Sequence, residues 1–415
     1  MTTQQTLQAE EYKQTELGEL PKDWGVVKFE DCLSDKKVKV SKLQQSQFLK
    51  IGKFPIVDQS QDLIAGYWDN DEDLFSSPLP IVVFGDHTRA FKFIDFPFVC
   101  GPDGTKILIP EISKVFPKFF YYYLKLLNIP SRGYNRHYSL LKDYSIPLPP
   151  LSEQQKIAYV LSTVQTTQER TQNFIKSLKE LKKSAMKHLF TYGAVSFEDI
   201  DKVELKETEI GMIPKNWETE PIKKYIIKTE QKDMRKTNIE FKYIDVSGID
   251  REKSKIISYS NFKGKSSPSR ARKIIKLNDI IIATVRPTLK RIAKIDQNYD
   301  CQICSTAFCV LRADGKKMSS NYLFYNIHRD YFIAELGRIQ KGANYPAVSD
   351  SEIKNQKIQI PSLTEQQNIS SILSAIDEKI QAEEQKKEAL KQTFNSLLKN
   401  LMTAKIRVND LEVGV

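Results

Sequence analysis

Cations and hydrogen-bonding side chains, rather than paired acids and bases, are the residues of this sequence whose spacing could do chemistry. Residues 251–294 hold thirteen Lys or Arg against Glu252 and Asp279, a net of +11 that equals the excess of the whole 415-residue chain. Tyr259, Phe262, Gly264 and several serines are interleaved with them. This mixture fits contact with a nucleic acid, although a solvated basic loop is the plainer alternative. Reading of bases needs side chains that reach their edges, backed by cations that fix register on phosphates. In the first half of the chain the candidates are Asp86, His87, Thr88, Arg89 and Lys92, then Arg132, Tyr134, Asn135, Arg136 and His137. In the second half they are Arg270, Arg272, Arg286, Lys290, Arg291, Lys341 and Asn344. For each of them a phosphate contact or a solvated surface is an alternative to base readout.

Other chemistries find little to work with. Cys301 and Cys304 have metal-like spacing, and Cys309 and His328 could add ligands, but no second close pair follows, so no metal is expected. The five cysteines, with Cys32 and Cys100, sit in apolar strand-like contexts, which fits buried thiols in a reducing compartment. His87, His137, His188 and His328 are scattered among different elements. No G-x-x-x-x-G-K-[ST] loop is present for nucleotide phosphates. The glycine-rich turn and the Asn/Asp-Pro-Pro-aromatic string of an adenine methyltransferase are missing too. No enzyme activity is therefore expected, with a DNA-binding enzyme of unrecognised site and a coiled-coil scaffold as the alternatives. No run approaches the eighteen or so apolar residues of a membrane helix, and the first residues do not look like a signal peptide. A cytoplasmic protein is expected.

Positioning such residues needs a scaffold, and the scaffold is repeated. TELGELPKDW at 15–24 returns as TEIGMIPKNW at 208–217, an offset of 193. IPLPPLSEQQKIAYVLSTV at 146–164 returns as IQIPSLTEQQNISSILSAI at 358–376, an offset of 212. The copies therefore differ mainly in what these markers enclose. Each has a fixed entrance, a divergent body and a fixed exit into a helix. The bodies read as mixed α/β, with strands at 81–84, 91–94, 106–109, 280–284 and 307–311. Helices are expected at 117–128 and 320–336, their tyrosines in the core.

Ser152 with Gln155, and Thr364 with Gln367, are expected to cap the exit helices. The first helix carries an apolar seam of Ile157, Val160, Val164, Phe174, Leu178 and Leu181, with Thr167 and Thr171 between. The second carries Ile369, Ile372, Ile376, Ile380, Leu390, Phe394, Leu397 and Leu401. A helix of about 37 residues is about 55 Å long, more than its own small body can cover, so the two seams should pair with each other. Antiparallel pairing relates the copies by a pseudo-twofold axis. The expected boundaries are a first body at 1–150, a helix at 151–195, a second body at 196–361 and a helix at 362–415.

The entrance with Gly18, Pro21 and Trp24, the exit P-x-L-x-E-Q-Q and the order body, helix, body, helix resemble the specificity subunit of type I restriction-modification systems over nearly the whole chain. GKFPIVDQSQDLIAGYWD at 52–69 and VFGDHTRAFKFIDFPFVCGPDGTKIL at 83–108 are similar to its target recognition domains. NDIIIATVRPTLKRIAKI at 278–295, CSTAFCVL and KGANYPAVSDSEIK match another branch. One departure is LFTYGAV at 189–195, where LMTAKIRV at 401–408 is closer to the usual ending. The resemblance implies an α/β (α+β) fold of two target recognition domains joined by two long antiparallel coiled-coil helices. Each domain would read one half of a bipartite double-stranded DNA site in a prokaryotic cytoplasm. Two methyltransferase subunits and restriction/translocase subunits would be the partners. S-adenosylmethionine, ATP and Mg would bind to those partners and no cofactor to this chain.

Overall fold

The computed structural model describes residues 11–36, 38–131, 133, 135–409 and 411–412. The chain forms two compact units, Met1–Gln172 with Gln385–Val415, and Asn173–Glu384. Each unit combines one body with half of each long helix.

The same frame closes both bodies. Tyr12–Thr15 pairs with Gly18–Pro21, and Leu205–Thr208 with Gly211–Pro214, as antiparallel hairpins. Gly18 and Gly211 sit at φ +99° and +106°, a conformation that side chains with a Cβ rarely adopt. Thr15 and Thr208 each donate a hydroxyl to the glycine carbonyl at 2.7 Å, which explains why Thr-Glu-x-Gly recurs. The chain then turns inward at Trp24 and Trp217, both fully buried. Each indole N–H donates to a carboxylate in the first turn of a long helix: Trp24 to Glu153 Oε2 at 2.9 Å, Trp217 to Glu365 Oε2 at 3.0 Å.

The next residue locks the helix start. Gln154 donates to the Pro149 and Lys114 carbonyls and accepts the Phe116 N–H. Gln366 makes the same three bonds to Pro361, Lys317 and Ser319. The expected caps are corrected here, because the helices begin at Leu151 and Leu363, ahead of Ser152 and Thr364. Ser362 accepts the Glu365 N–H at 3.3 Å, and the Pro150 carbonyl accepts the Glu153 N–H at 2.9 Å. Finally, the strand after each tryptophan pairs with the strand before each helix: Gly25–Lys28 with Ser145–Leu148, and Glu218–Pro221 with Lys357–Ile360. Entrance and exit thus lie side by side, and the body between them can change length without moving either.

Each body is built on one strand buried on both faces. In the first, Ile81–Gly85 lies between Thr105–Leu108 and Phe91–Ile94, antiparallel to both. Its alternating side chains divide between two cores: Val82 and Phe84 pack with Trp24, Phe29 and Phe119, while Ile81 and Val83 pack with Val57, Phe75 and Phe98. In the second, Ile280–Ala283 lies between Phe308–Ala313 and Ile292–Lys294. Ile280 and Ile282 face Trp217, Tyr322 and Phe332, whereas Ile281 and Ala283 face Ile244 and Phe308. A second sheet in each body contains one parallel pair, Phe54–Val57 with Phe98–Cys100 and Glu240–Ile244 with Ile303–Ser305. The helices Pro117–Leu124 and Ser320–Ile327 put Tyr122 and Tyr322 wholly in the core, as their sequence predicts. Four cysteines are buried, and Cys301 is exposed, contrary to expectation.

The long helices, Leu151–Tyr192 and Leu363–Met402, are unbroken at their centres. Within the first unit their contacts run in opposite directions, from Lys156 with Asn409 through Gln168 with Leu390 to Gln172 with Lys387. Within the second unit Lys179 meets Glu384 at 2.8 Å and Lys182 meets Asp377 at 2.6 Å, again antiparallel. The buried register is Ile157, Leu161, Thr171, Ile175 and Leu178, with Val164, Gln168 and Ala185 half-buried, a spacing of four and three that is the mark of a coiled coil. On the second helix Ile369, Leu373, Ile380, Phe394 and Leu401 are buried, and Ile376, Leu390 and Leu397 half-buried.

Three expected seam residues are therefore corrected: Phe174, Leu181 and Ile372 are 44%, 53% and 43% exposed. The true seam passes through polar Gln168 and Thr171. Gln168 is accommodated because its amide donates to the Leu390 carbonyl at 2.8 Å, and skipping over it to the next apolar residue shifts the phase.

Leu178→Asp puts an unpaired charge into the seam and is expected to destabilise by about 3 kcal/mol or more. Leu181→Asp should cost within about 0.5 kcal/mol. Denaturant unfolding of the two variants compares them directly, and equal losses would mean that the register is wrong. Trp24→Phe keeps an aromatic ring but deprives the buried Glu153 of a donor, for an expected loss of about 1–3 kcal/mol. An unchanged unfolding midpoint would show that Arg407, which also pairs with Glu153, satisfies the carboxylate alone.

Candidate nucleic-acid interface

Both bodies bring the same two loops together. One is the hairpin turn that follows the central buried strand, residues 86–90 in the first unit and 284–291 in the second. The other precedes the short helix before the exit strand: Tyr138–Leu141 in the first unit, Asp350–Lys354 in the second. Candidates far apart in sequence thereby become neighbours.

In the first unit Asp86 is the joint. It is 1% exposed, and its Oδ1 accepts the His137 and Tyr138 N–H groups at 2.8 and 2.7 Å. Its carbonyl lies 2.9 Å from His137 Nδ1, so that nitrogen carries the proton. Arg89 is exposed at φ +61°, its guanidinium donating to the Ile129 carbonyl at 2.8 Å. Arg136 is exposed and pairs with Asp103 at 2.7 Å, and Asp103 also takes Lys42 at 3.1 Å. Lys42, then Arg136, hold the Asp103 carboxyl below its ordinary range. Asn135 is exposed beside them, while His87 and Thr88 are half-buried against Gln59. Arg132 and Tyr134 lie outside the described residues.

Three candidates of this group are corrected. Lys92 is 5% exposed, and its ammonium donates to the Asp58 carbonyl at 2.8 Å with the Asp58 carboxylate at 3.5 Å. Burial pushes it below the ordinary lysine range, with Asp58 opposing. His137 is 0% exposed and serves the joint with Asp86. Both are internal braces, because a strand of alternating burial turns Lys92 inward and the loop closure needs an imidazole donor. Asp86, expected as a DNA contact, is a buried joint instead, and Gln59, which also organises the loops, is not distinguishable in sequence from a surface polar residue.

In the second unit the two loops are tied by backbone bonds. Arg286 N–H donates to the Pro346 carbonyl at 2.7 Å, and Val348 N–H to the Thr284 carbonyl at 2.9 Å. Lys341 and Ala347 exchange N–H to carbonyl bonds at 2.9 Å, closing residues 341–347 into a tip. Arg286, Lys341 and Asn344 are exposed on this tip. Arg270, also exposed, adjoins it, since its carbonyl accepts the Thr306 N–H and the following Ala307 carbonyl accepts from Thr284.

Lys341 also lies 3.6 Å from Glu352, and three other candidates have local partners as well. Arg272 lies 3.5 Å from Asp233, Lys290 2.8 Å from Asp330, and Arg291 donates to the Val246 carbonyl at 2.6 Å. Much of the basic run is treated alike: Lys273 meets Asp350 at 2.6 Å, and Lys276 meets Glu230 at 3.2 Å. The charge excess is thus narrower on the surface than in the sequence. Tyr259 keeps a cationic neighbour, with the Lys242 ammonium 5.0 Å from its ring.

These arrangements offer guanidinium, amide and ammonium donors on rigid turns. Among the described residues no cluster of His, Cys, Asp or Glu could hold a metal ion, and no helix is long and apolar enough to cross a membrane. Cys304 and Cys309 are buried on strands, burial pushing the Cys309 thiol up to about 12.

A family model described as the type I restriction modification DNA specificity domain matches residues 21–180 and again 214–392. Each match starts near a hairpin and runs into a long helix. The chain is 25% identical over 430 residues to the type I restriction enzyme MjaVIII specificity subunit of Methanocaldococcus jannaschii, with 97% of each covered. It is 26% identical over 328 residues to the type I restriction enzyme EcoBI specificity subunit of Escherichia coli, covering 73% of this chain and 66% of that one. The crystal structure of the type I restriction-modification S subunit from M. genitalium aligns over 91% of this chain and 96% of its own, with a TM-score of 0.61 at 16% identity, a likeness of fold. With the frame repeated in structure and the family model matched by both copies, the chain belongs to the DNA-specificity subunits of type I restriction-modification systems.

Proposed function

We propose that each unit reads one half of a split duplex-DNA site through its pair of tied loops, and that this chain performs no bond chemistry itself. The observation that carries this reading is the meeting of hairpin turn and pre-exit loop in both bodies, each with an exposed arginine in the left-handed conformation, Arg89 and Arg286. An arginine held this way presents a fork of donors at low entropic cost, which suits acceptors on base edges and phosphates. Two divergent bodies on one frame favour two different half-sites.

Methyl transfer, ATP-driven translocation and cleavage then belong to partner subunits, which also hold S-adenosylmethionine, ATP and Mg. The exposed apolar residues Phe174 and Leu181 on the first helix favour the long helices as the surface on which two methyltransferase subunits and the restriction/translocase subunits assemble.

The test is to express the full chain with its methyltransferase subunits and map methylated bases across a genome. A two-part motif is expected. Arg89→Ala should relax one half of it and leave the other intact, since a good base contact is worth about 1–3 kcal/mol. Equal change in both halves would refute one unit per half-site, and methylation by the isolated chain would refute its non-catalytic role. Leu181→Asp should weaken methyltransferase co-purification while leaving the chain folded. Full assembly of that variant would place the docking surface elsewhere.

A further inference from the structure

The tip of the second unit carries a large residue, within the KGANYPAVSDSEIK stretch, that is not among the candidate DNA contacts. Tyr345 is 73% exposed. Its surroundings hold it without burying it. The loop is closed by Lys341 and Ala347, and Ala347 also bridges to Val285 beside Arg286. Arg286 has φ +50°, a strained value for a residue with a side chain, and its N–H is fixed by the Pro346 carbonyl at 2.7 Å. One end of its guanidinium donates from Nη2 to the Asn344 carbonyl at 3.2 Å, and its carbon lies 5.1 Å from the Tyr345 ring centre. The Arg286 backbone, one N–H of Nη2 and the place of the guanidinium carbon over the Tyr345 ring are therefore set by residues 344–346. Nε, Nη1 and the second N–H of Nη2 make no hydrogen bond among the described residues, which leaves one two-donor edge available. In the same turn Lys290 and Arg291 are tied to Asp330 and the Val246 carbonyl.

A guanidinium anchored at one nitrogen, with a two-donor edge still available, matches the two acceptors, O6 and N7, that guanine shows in the major groove. We propose that Arg286 reads a guanine in one half of the site and that Tyr345 is its positioning residue, holding the guanidinium plane through its ring. This rests on the specificity reading above and names a base which that reading leaves open.

The full chain, assembled with its methyltransferase subunits, is given a library of duplexes randomised across the site, and sequencing of methylated products gives the preference at every position. Arg286→Ala should lower the preference for one G·C pair in one half by about tenfold or more, with the other half unchanged. Arg286→Lys keeps the charge and loses the fork, so it should lose the same preference while retaining affinity for random duplex DNA at low salt. Tyr345→Phe keeps the ring and should match the wild type. Tyr345→Ala should weaken the same G·C pair and add nothing in an Arg286→Ala background.

Unchanged preference in Arg286→Lys, or loss spread over both halves, overturns the guanine assignment. A Tyr345→Phe loss as large as that of Tyr345→Ala overturns the positioning role, since the hydroxyl would then be making the contact. A wild-type assembly that yields no motif at all overturns the specificity reading on which the inference stands.

Discussion

A single hydrogen bond from a buried indole to a carboxylate in the first turn of a long helix organises each half of this protein. Glu153 is 2% exposed, and a carboxylate so enclosed must be fully paired to be tolerated. Trp24 supplies one donor, and Arg407 supplies two more at 2.7 and 2.9 Å while also reaching Asp23. The hairpin, the first turn of the long helix and the end of the second helix are thereby joined at one point. Glu365 repeats the bond to Trp217 but has no arginine partner among the described residues, and Gly193 passes so close that a Cβ there would collide with Glu365 Oε1. The departure of LFTYGAV from LMTAKIRV thus has a physical meaning: one copy pairs its carboxylate with a cation, and the other needs a glycine to leave room beside it.

Because entrance and exit are fixed together, the body beyond them is free of the frame. What it must retain is a strand buried on both faces, since that strand fuses the frame core with the outer sheet. The hairpin turn after this strand is then a rigid platform on which loop sequence can vary at little cost to the core. Positive φ at Arg89 and Arg286 shows that the platform tolerates strain of about 1–3 kcal/mol at each turn.

The repeats were the most legible feature of the sequence, and their residues proved to include the ones with long-range bonds: Trp24, Glu153, Gln154 and their counterparts. Antiparallel helix pairing was legible from the apolar stripes, as was Thr171 in the seam, but the phase was not, because Gln168 also occupies the seam and Phe174, Leu181 and Ile372 do not. Lys92 and His137 looked like surface donors and are internal, as type and charge alone do not report which way an alternating strand or a closing loop turns a side chain. The basic run overstated the surface charge for the related reason that its acidic partners, Glu230, Asp330 and Asp350, lie outside it in sequence. Tyr345 lay in a stretch that carried the resemblance but was not singled out, since an exposed tyrosine and a buried one look alike until the loop around it is closed.

The two units also differ in how they are cut from the chain. The second is continuous, Asn173–Glu384, whereas the first needs Gln385–Val415 in addition to Met1–Gln172. On a ribosome, all of the second unit is synthesised before the segment that completes the first. Until then Ile157, Leu161 and Tyr122 have no Phe394, Leu398 or Leu401 to pack against, and Glu153 has no Arg407. The first body therefore waits, partly uncovered, through the translation of its own sibling, and a nascent chain in that condition is where chaperone binding or pairing with a neighbouring nascent chain would intervene.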